Sequence, residues 1–385
     1  MTQAILIYGS TQSADMRHVI PHEVHDPFLY LEIDGTPHTV LKSLEVARMK
    51  AVPGMTAHAF EEFGSDSFAK SGADPAQVEM MTYLEACSRL GVDQASVPPT
   101  FPVELADFLR GAGVRLDVAR TEFMLRRRVK SPTELAGIRR AQKAAEAGIA
   151  HVADSLARST IDTDGGLLLN GEPLTCEQLK RGIIEAFTRN GCDGGDLIVA
   201  HGAQTCIGHH SGSGQPKAGE PITVDICPRD IASSCYSDMT RTFVKGDIDE
   251  ELKTYYRIVR ESLDDVIAAI KPGLPVAELH RISCLPIEKA GFPTQLTKKA
   301  GIVLDEGYFH SLGHGVGLEI HEAPGLGQND AVLMAGDVIA IEPGCYRQGF
   351  GGVRLEDIAL VTEDGCELIS DYPYELTPVY HPRGV

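Results

Sequence analysis

Four carboxylates in the C-terminal half of this 385-residue chain stand where a bare carboxylate is costly. Asp225 closes the apolar run Ile222-Thr-Val-Asp225, and Glu342 closes Ile339-Ala-Ile-Glu342 just ahead of Pro343-Gly344. A carboxylate that terminates a buried strand needs an ion pair or a metal. Each one alone reads as a structural salt bridge. Together with Asp238 and Glu356, which lie beside turn residues in the same half, they read as a site. Histidines gather there too, in His310-Ser-Leu-Gly-His314 and the following Gly315-Val-Gly-Leu-Glu-Ile-His321. Two histidines four apart suit a helical zinc motif, but Ser311 stands where that motif needs its glutamate base. Gly313, Gly315 and Gly317 favour instead a strand or tight loop lying close to neighbouring backbone. Four carboxylates and one histidine suit a pair of Mn2+, Co2+ or Zn2+ ions, whose four positive charges the carboxylates offset. Such a pair, ~3.5–4 Å apart, shares a hydroxide and polarises a carbonyl, chemistry that hydrolyses amides or phosphate esters. Oxygen-rich ligation favours Mn2+.

The elements that must position these residues follow from the hydrophobic pattern. From residue 196 onward, short β-rich runs are punctuated by glycine: Leu197–Ala200, Pro221–Asp225, Thr240–Val244, Val338–Glu342 and Asp357–Val361. Helical segments around 250–270 and 276–290 separate them. This pattern predicts an α+β domain with a curved antiparallel sheet flanked by helices. Ahead of it, Ser131-Pro-Thr-Glu134 opens a helix with a capping box, and Leu135, Ile138, Ala141 and Ala145 give that helix a core face. A second helix is expected over about Cys176–Thr188. The charge run Arg126–Lys130 reads as a solvated linker. It separates a domain over 131–385 from an α/β domain over 1–125, whose strands Ala4–Tyr8, Phe28–Ile33 and Thr39–Leu41 include a hairpin turned at Asp34-Gly35. His18, His22 and His25 in that first part, beside Asp26, read as a solvated loop.

Composition narrows the partners. A formal charge of -19 disfavours nucleic acid and anionic membrane. No apolar run approaches the roughly 18 residues of a membrane span. The N-terminus has no signal-peptide pattern. Nine dispersed cysteines without a Cys-x-x-Cys pair fit a reducing cytoplasm.

In order along the chain, Asp225, Ser237-Asp238-Met-Thr-Arg-Thr242, Gly313-His314-Gly315-Val-Gly317, Ile341-Glu342-Pro-Gly344 and Val353-Arg-Leu-Glu356-Asp357 resemble the pita-bread metallopeptidases, within them the Xaa-Pro aminopeptidase and prolidase branch. The resemblance covers about 131–385, and the first part is similar in layout to a creatinase-type N-terminal domain. It implies two divalent metal ions, Mn2+ foremost with Co2+ or Zn2+ as alternatives, held by Asp225, Asp238, His314, Glu342 and Glu356. Asp238 and Glu356 would bridge the ions. Glu342 would also act as general base. His209, His310 and His321 match histidines that bind substrate and stabilise the oxyanion, with His210 competing for the place of His209. Arg354 matches an arginine that orients ligands or substrate. The implied activity is hydrolysis of the bond between an N-terminal residue and proline, by a homodimer.

One departure stands out. Twelve residues separate Asp225 from Asp238, two more than is usual in the family. On adjacent antiparallel strands an even insertion lengthens the hairpin and preserves the facing of both side chains. Asp230, in mid-turn, is the rival to Asp225. Two other functions compete: a metal-dependent hydrolase or lyase acting on a small non-peptide substrate, and an inactive module that binds peptide or protein. Retention of all five ligand positions argues against the second.

Overall fold

The computed structural model describes residues 4–380. The chain separates into two compact units between Arg127 and Arg128. In the first, a six-stranded mixed sheet has the spatial order Thr56–Ala59, Thr36–Leu41, Phe28–Ile33, Ala4–Gly9, Gln94–Val97 and Arg115–Val118. Period-two alternation accounts for its burial. Leu6, Leu29 and Leu31 enter one core, while Ile7, Phe28 and Tyr30 enter the other, so helices cover both faces. Asp34 and Gly35 have φ of 46° and 79°, the left-handed pair that a two-residue hairpin needs.

In the second unit, the helix Pro132–Arg158 starts as the sequence predicts, with Ser131 and Glu134 forming a reciprocal capping box. It and the helix Cys176–Arg189 pack on a three-stranded antiparallel sheet of Cys192–His201, Pro221–Asp230 and Met239–Val244. The helices Glu250–Ala269 and Val276–Lys289 pack on the strands Val338–Ile341, Gly344–Arg347, Gly351–Arg354 and Asp357–Val361. Strand pairing throughout this unit's named ladders is antiparallel. Each helix pair thus covers one face of its sheet, and the uncovered faces carry the polar residues.

Two expectations need correction. The Arg126–Lys130 run is no solvated linker. Arg128 lies in the helix Arg120–Arg128 and is buried, with its guanidinium on Asp337 at 2.8 and 2.5 Å. Lys130 forms a buried ion pair with Glu322. Asp225 does not end its strand, which continues to Asp230.

Candidate metal centre

The strand Pro221–Asp230 sorts its side chains by alternation. Ile222, Val224 and Ile226 enter the core beneath the helices. Asp225 and Cys227 therefore point the other way, into a cavity of about 750 Å³. The longer hairpin is built as the even insertion requires. Asp225 pairs with Thr240 and Ile226 with Met239, which leaves Asp238 just ahead of the returning strand. Asp238 lines the same cavity. The rival Asp230 does not: Arg140 grips both its carboxylate oxygens at 2.9 and 2.8 Å, and Ser233 donates to it within the turn.

His314 sits on the short strand Gly313–Gly315, between Glu322–Leu326 and Val338–Ile341. A Cβ at Gly313 would overlap the Ala340 carbonyl, and one at Gly315 the Ala323 carbonyl. Glycines on both sides thus let this strand sit close enough to bring His314 forward. Glu342 and Glu356 stand together where two strands cross between sheets. Ile341 pairs with Asp357 on one side of the junction and Gly344 with Arg354 on the other. Thr240 fastens this junction to the first sheet, donating its hydroxyl to Glu356 Oε2 at 2.7 Å and accepting the Glu356 N–H at its carbonyl. Buried Arg241 donates to the Glu356 carbonyl at 2.8 Å and to the Asp357 carboxylate at 2.9 Å.

The arrangement is rich in acceptors. His314 Nδ1 faces the Gly315 carbonyl at 3.1 Å, and burial followed by the neighbouring His321 pushes its imidazole down to about 4. At neutral pH the ring is uncharged, with its proton on Nδ1. Its Nε2 lone pair then faces Asp238 Oδ2 and Glu342 Oε1, each at 3.8 Å. Three acceptors aimed at one point call for a cation between them. Burial, then the charge of Asp225, holds the Asp238 carboxyl well above the usual range; burial, then Asp238, does the same for Glu356. Burial pushes Glu342 up to about 8 against the opposing pull of Arg354. Arg354 is the cation facing these carboxylates, with Nη2 at 2.5 Å from Asp225 Oδ2. Two groups of ligand atoms lie within 4.8 Å of one another: Asp225, Cys227 and Asp238, and Asp238, His314 and Glu356. They share Asp238. Donor chemistry and overlap fit two divalent ions with a common carboxylate.

All nine residues singled out in the sequence reach this cavity. His209 lines it and is exposed; His210 is turned aside, accepting the Gly212 N–H on Nδ1 at 2.9 Å. His321 is exposed, its ring centroid 4.3 Å from that of His314. His310 is differently occupied. Its Nδ1 donates to the Ser311 carbonyl at 2.8 Å, so Nε2 accepts the Tyr346 hydroxyl at 2.9 Å. Tyr346 in turn accepts from Arg354 Nη1 at 3.0 Å. Sequence reasoning passed over Tyr346. The available signal was an aromatic flanked by Gly344 and Gly352, at both of which a Cβ would meet the Tyr346 side chain. Cys227 was also passed over, although it stands two residues beyond Asp225 and hence on the same strand face.

A two-unit protein with an acidic, histidine-bearing cavity on the uncovered sheet faces of its second unit has the makings of a metallohydrolase. Residues 136–363 match the family model "Metallopeptidase family M24", and the chain belongs to that family. Among curated relatives, it is 37% identical over 183 residues to a Xaa-Pro dipeptidase of Pyrococcus furiosus, an alignment spanning 47% of this chain and 49% of that one. It is 29% identical to a "Probable dipeptidase PepE" of Mycobacterium tuberculosis over 91% of this chain and 85% of that one. The match to the first of these relatives thus spans about half of its length. Among solved structures, a Xaa-Pro dipeptidase from Bacillus anthracis superposes with a TM-score of 0.78 at 23% identity, covering 98% of this chain and 95% of that one. An X-Pro aminopeptidase from Thermotoga maritima gives 0.76 at 19% identity, covering 97% of each. The pita-bread fold is therefore that of this chain. Among the described residues no helix is long and apolar enough to cross a membrane.

Proposed function

We propose that this protein hydrolyses the peptide bond between an N-terminal residue and proline, as a Xaa-Pro aminopeptidase or dipeptidase. The observation that carries the reading is the pair of ligand groups overlapping at Asp238 inside one cavity. The Xaa-Pro dipeptidases among its relatives support the proline preference. Asp225, Asp238, His314, Glu342 and Glu356 would hold two divalent ions, with Asp238 and Glu356 shared between them. The ions, Mn2+ in our reading, would activate a water and polarise the scissile carbonyl.

The chain's own groups do the rest. Glu342 has a more open side chain than three of its fellow ligands, at 22% against 17% for Asp225, 11% for His314 and 6% for Asp238. It is placed to take the proton of the attacking water and return it to the departing proline nitrogen. His209 and His321, exposed on the cavity wall, hold the substrate and the oxygen that gains charge. His310 acts through Tyr346, fixing the hydroxyl that Arg354 reaches, while Arg354 orients Asp225. We place the enzyme in the cytoplasm as a homodimer, with peptides carrying proline second as its substrates and neither nucleic acid nor membrane as a partner.

The test is a hydrolysis panel with Mn2+: Gly-Pro, Xaa-Pro tripeptides and longer peptides. Cleavage of dipeptides alone identifies a dipeptidase. Absence of cleavage at every Xaa-Pro bond, with metal bound, overturns the assignment. Glu342→Ala abolishes turnover if the base is correctly placed.

A further inference from the structure

We propose that the Cys227 thiol is a sixth protein ligand of the centre, bound to the ion that Asp225 and Asp238 hold, and that it biases that position toward softer divalent metals. The inference rests on the two-ion reading above. That reading gives Cys227 no role as a ligand.

The placement comes from the strand. Cys227 is two residues beyond Asp225 on the same face of Pro221–Asp230, so both side chains project into the cavity from one face of the sheet. Cys227 is 7% exposed, and its Sγ lies 3.1 Å from Asp238 Oδ1. Its Sγ and one oxygen each from Asp225 and Asp238 lie within 4.8 Å of one another. Atoms that share an ion at ~2.0–2.3 Å stand no more than about 4.6 Å apart. The triad therefore closes on an ion with shifts of a few tenths of an ångström. A second observation points to a cation beside the same Asp238. The Nε2 lone pair of His314, a residue 9% exposed, faces Asp238 from the other side at 3.8 Å. Asp238 thus lies between a sulfur and a nitrogen donor, each grouped with a different second carboxylate.

This arrangement makes the two ion positions unequal. The one bounded by His314, Asp238, Glu342 and Glu356 has nitrogen and oxygen donors. The one bounded by Asp225, Asp238 and Cys227 adds a sulfur. Thiolate ligands select Zn2+ and its softer neighbours over Mn2+. On coordination the S–H proton leaves to solvent, and the sulfur donates its lone pair to the ion. A thiol that only donated a hydrogen bond to Asp238 would leave the metal preference to the oxygens.

Co2+ separates these cases. The full-length chain, loaded with two equivalents of Co2+, is compared with Cys227→Ser, Cys227→Gly and a remote core control, Cys284→Ala. Visible d–d bands report that the carboxylate and histidine site is filled. A near-ultraviolet sulfur-to-cobalt band reports thiolate ligation. The expected result is both bands in the wild-type chain and the control, and d–d bands alone in the two Cys227 variants. Competition should further show the preference for Zn2+ over Mn2+ falling ~10-fold or more in those variants. Filled d–d bands without the sulfur band in the wild-type chain, or a sulfur band that survives both substitutions, overturn the thiol ligand and leave the two-ion reading standing. Absence of d–d bands overturns both.

Discussion

Removing metal should make the second unit lose stability as pH rises from about 6.5 to 8, and Glu342 allows the loss to be sized. Burial, against the pull of Arg354 and with a further push from Asp225, raises its carboxyl to about 8, whereas an unfolded glutamate titrates near ~4.3. Between those values the native state binds more protons than the unfolded chain, so stability falls as pH rises. His310 and His314 act oppositely. Burial lowers them to about 3 and about 4, so the unfolded chain binds the extra protons up to pH ~6.5, and stability there rises with pH. Above pH ~6.5 the unfolded histidines shed their remaining protons, so their opposing effect fades over about one pH unit and the carboxylates prevail. Over the next ~1.5 pH units Glu342 contributes a loss of about 2 kcal/mol at ~1.36 kcal/mol per unit. Its 22% exposure trims this to ~1–2 kcal/mol. For a domain of this size that is a fall of ~3–6 °C in Tm. The raised carboxyls of Asp238 and Glu356 add in the same direction. The assay is thermal melting by circular dichroism in chelator at half-unit pH steps, for the wild-type chain and Glu342→Gln. The variant should show the shallower slope, and Mn2+ should abolish or reverse the wild-type slope, because metal binding strengthens as its ligands lose protons. A wild-type slope no steeper than that of Glu342→Gln refutes the argument.

Three further outcomes follow from the geometry. Tyr346→Phe leaves Arg354 Nη1 and His310 Nε2 without the hydroxyl they share, and should cost ~1–3 kcal/mol in denaturant melts while lowering kcat/KM on an Xaa-Pro substrate. Gly344→Ala places a methyl group on the Tyr346 hydroxyl, and should destabilise by ~1–3 kcal/mol with a similar drop in kcat/KM; an unchanged melt would show that the ring has room to move. Arg128→Ala strands the buried Asp337 carboxylate, and should destabilise by ~3–5 kcal/mol, read from the same melts.

Much of the fold is legible in local pattern. The apolar runs of Ala4–Gly9 and Phe28–Ile33, the Asp34-Gly35 turn and the Ser131–Glu134 capping box each depend on residues within a few positions of one another. The Arg126–Lys130 run misled because its partners, Glu32, Asp337 and Glu322, are far away in sequence, and a charge with no visible partner reads as solvated. Residue type likewise drew attention to the carboxylates Asp225, Asp238, Glu342 and Glu356 and to the histidines around His314, and the resemblance to the pita-bread metallopeptidases singled out these five as expected ligands.

The arrangement within the cavity required the tertiary structure. Whether His209 or His210 faces the site depends on a turn whose direction no local pattern encodes, and the His210 bond to Gly212 decides it. The role of His310 depends on Tyr346, a partner 36 residues away that occupies both its Nε2 and an Arg354 N–H. By itself the sequence pointed to carboxylates and histidines as the residue types of the candidate centre, because each is costly to bury without a partner. Only the folded chain decided which donors gather within 4.8 Å of one another, because two sheets joined through Thr240 and Glu356 bring Cys227 and His314 into separate groups that share Asp238. That convergence is set by strand register across more than a hundred residues, a distance over which side-chain chemistry leaves no local trace.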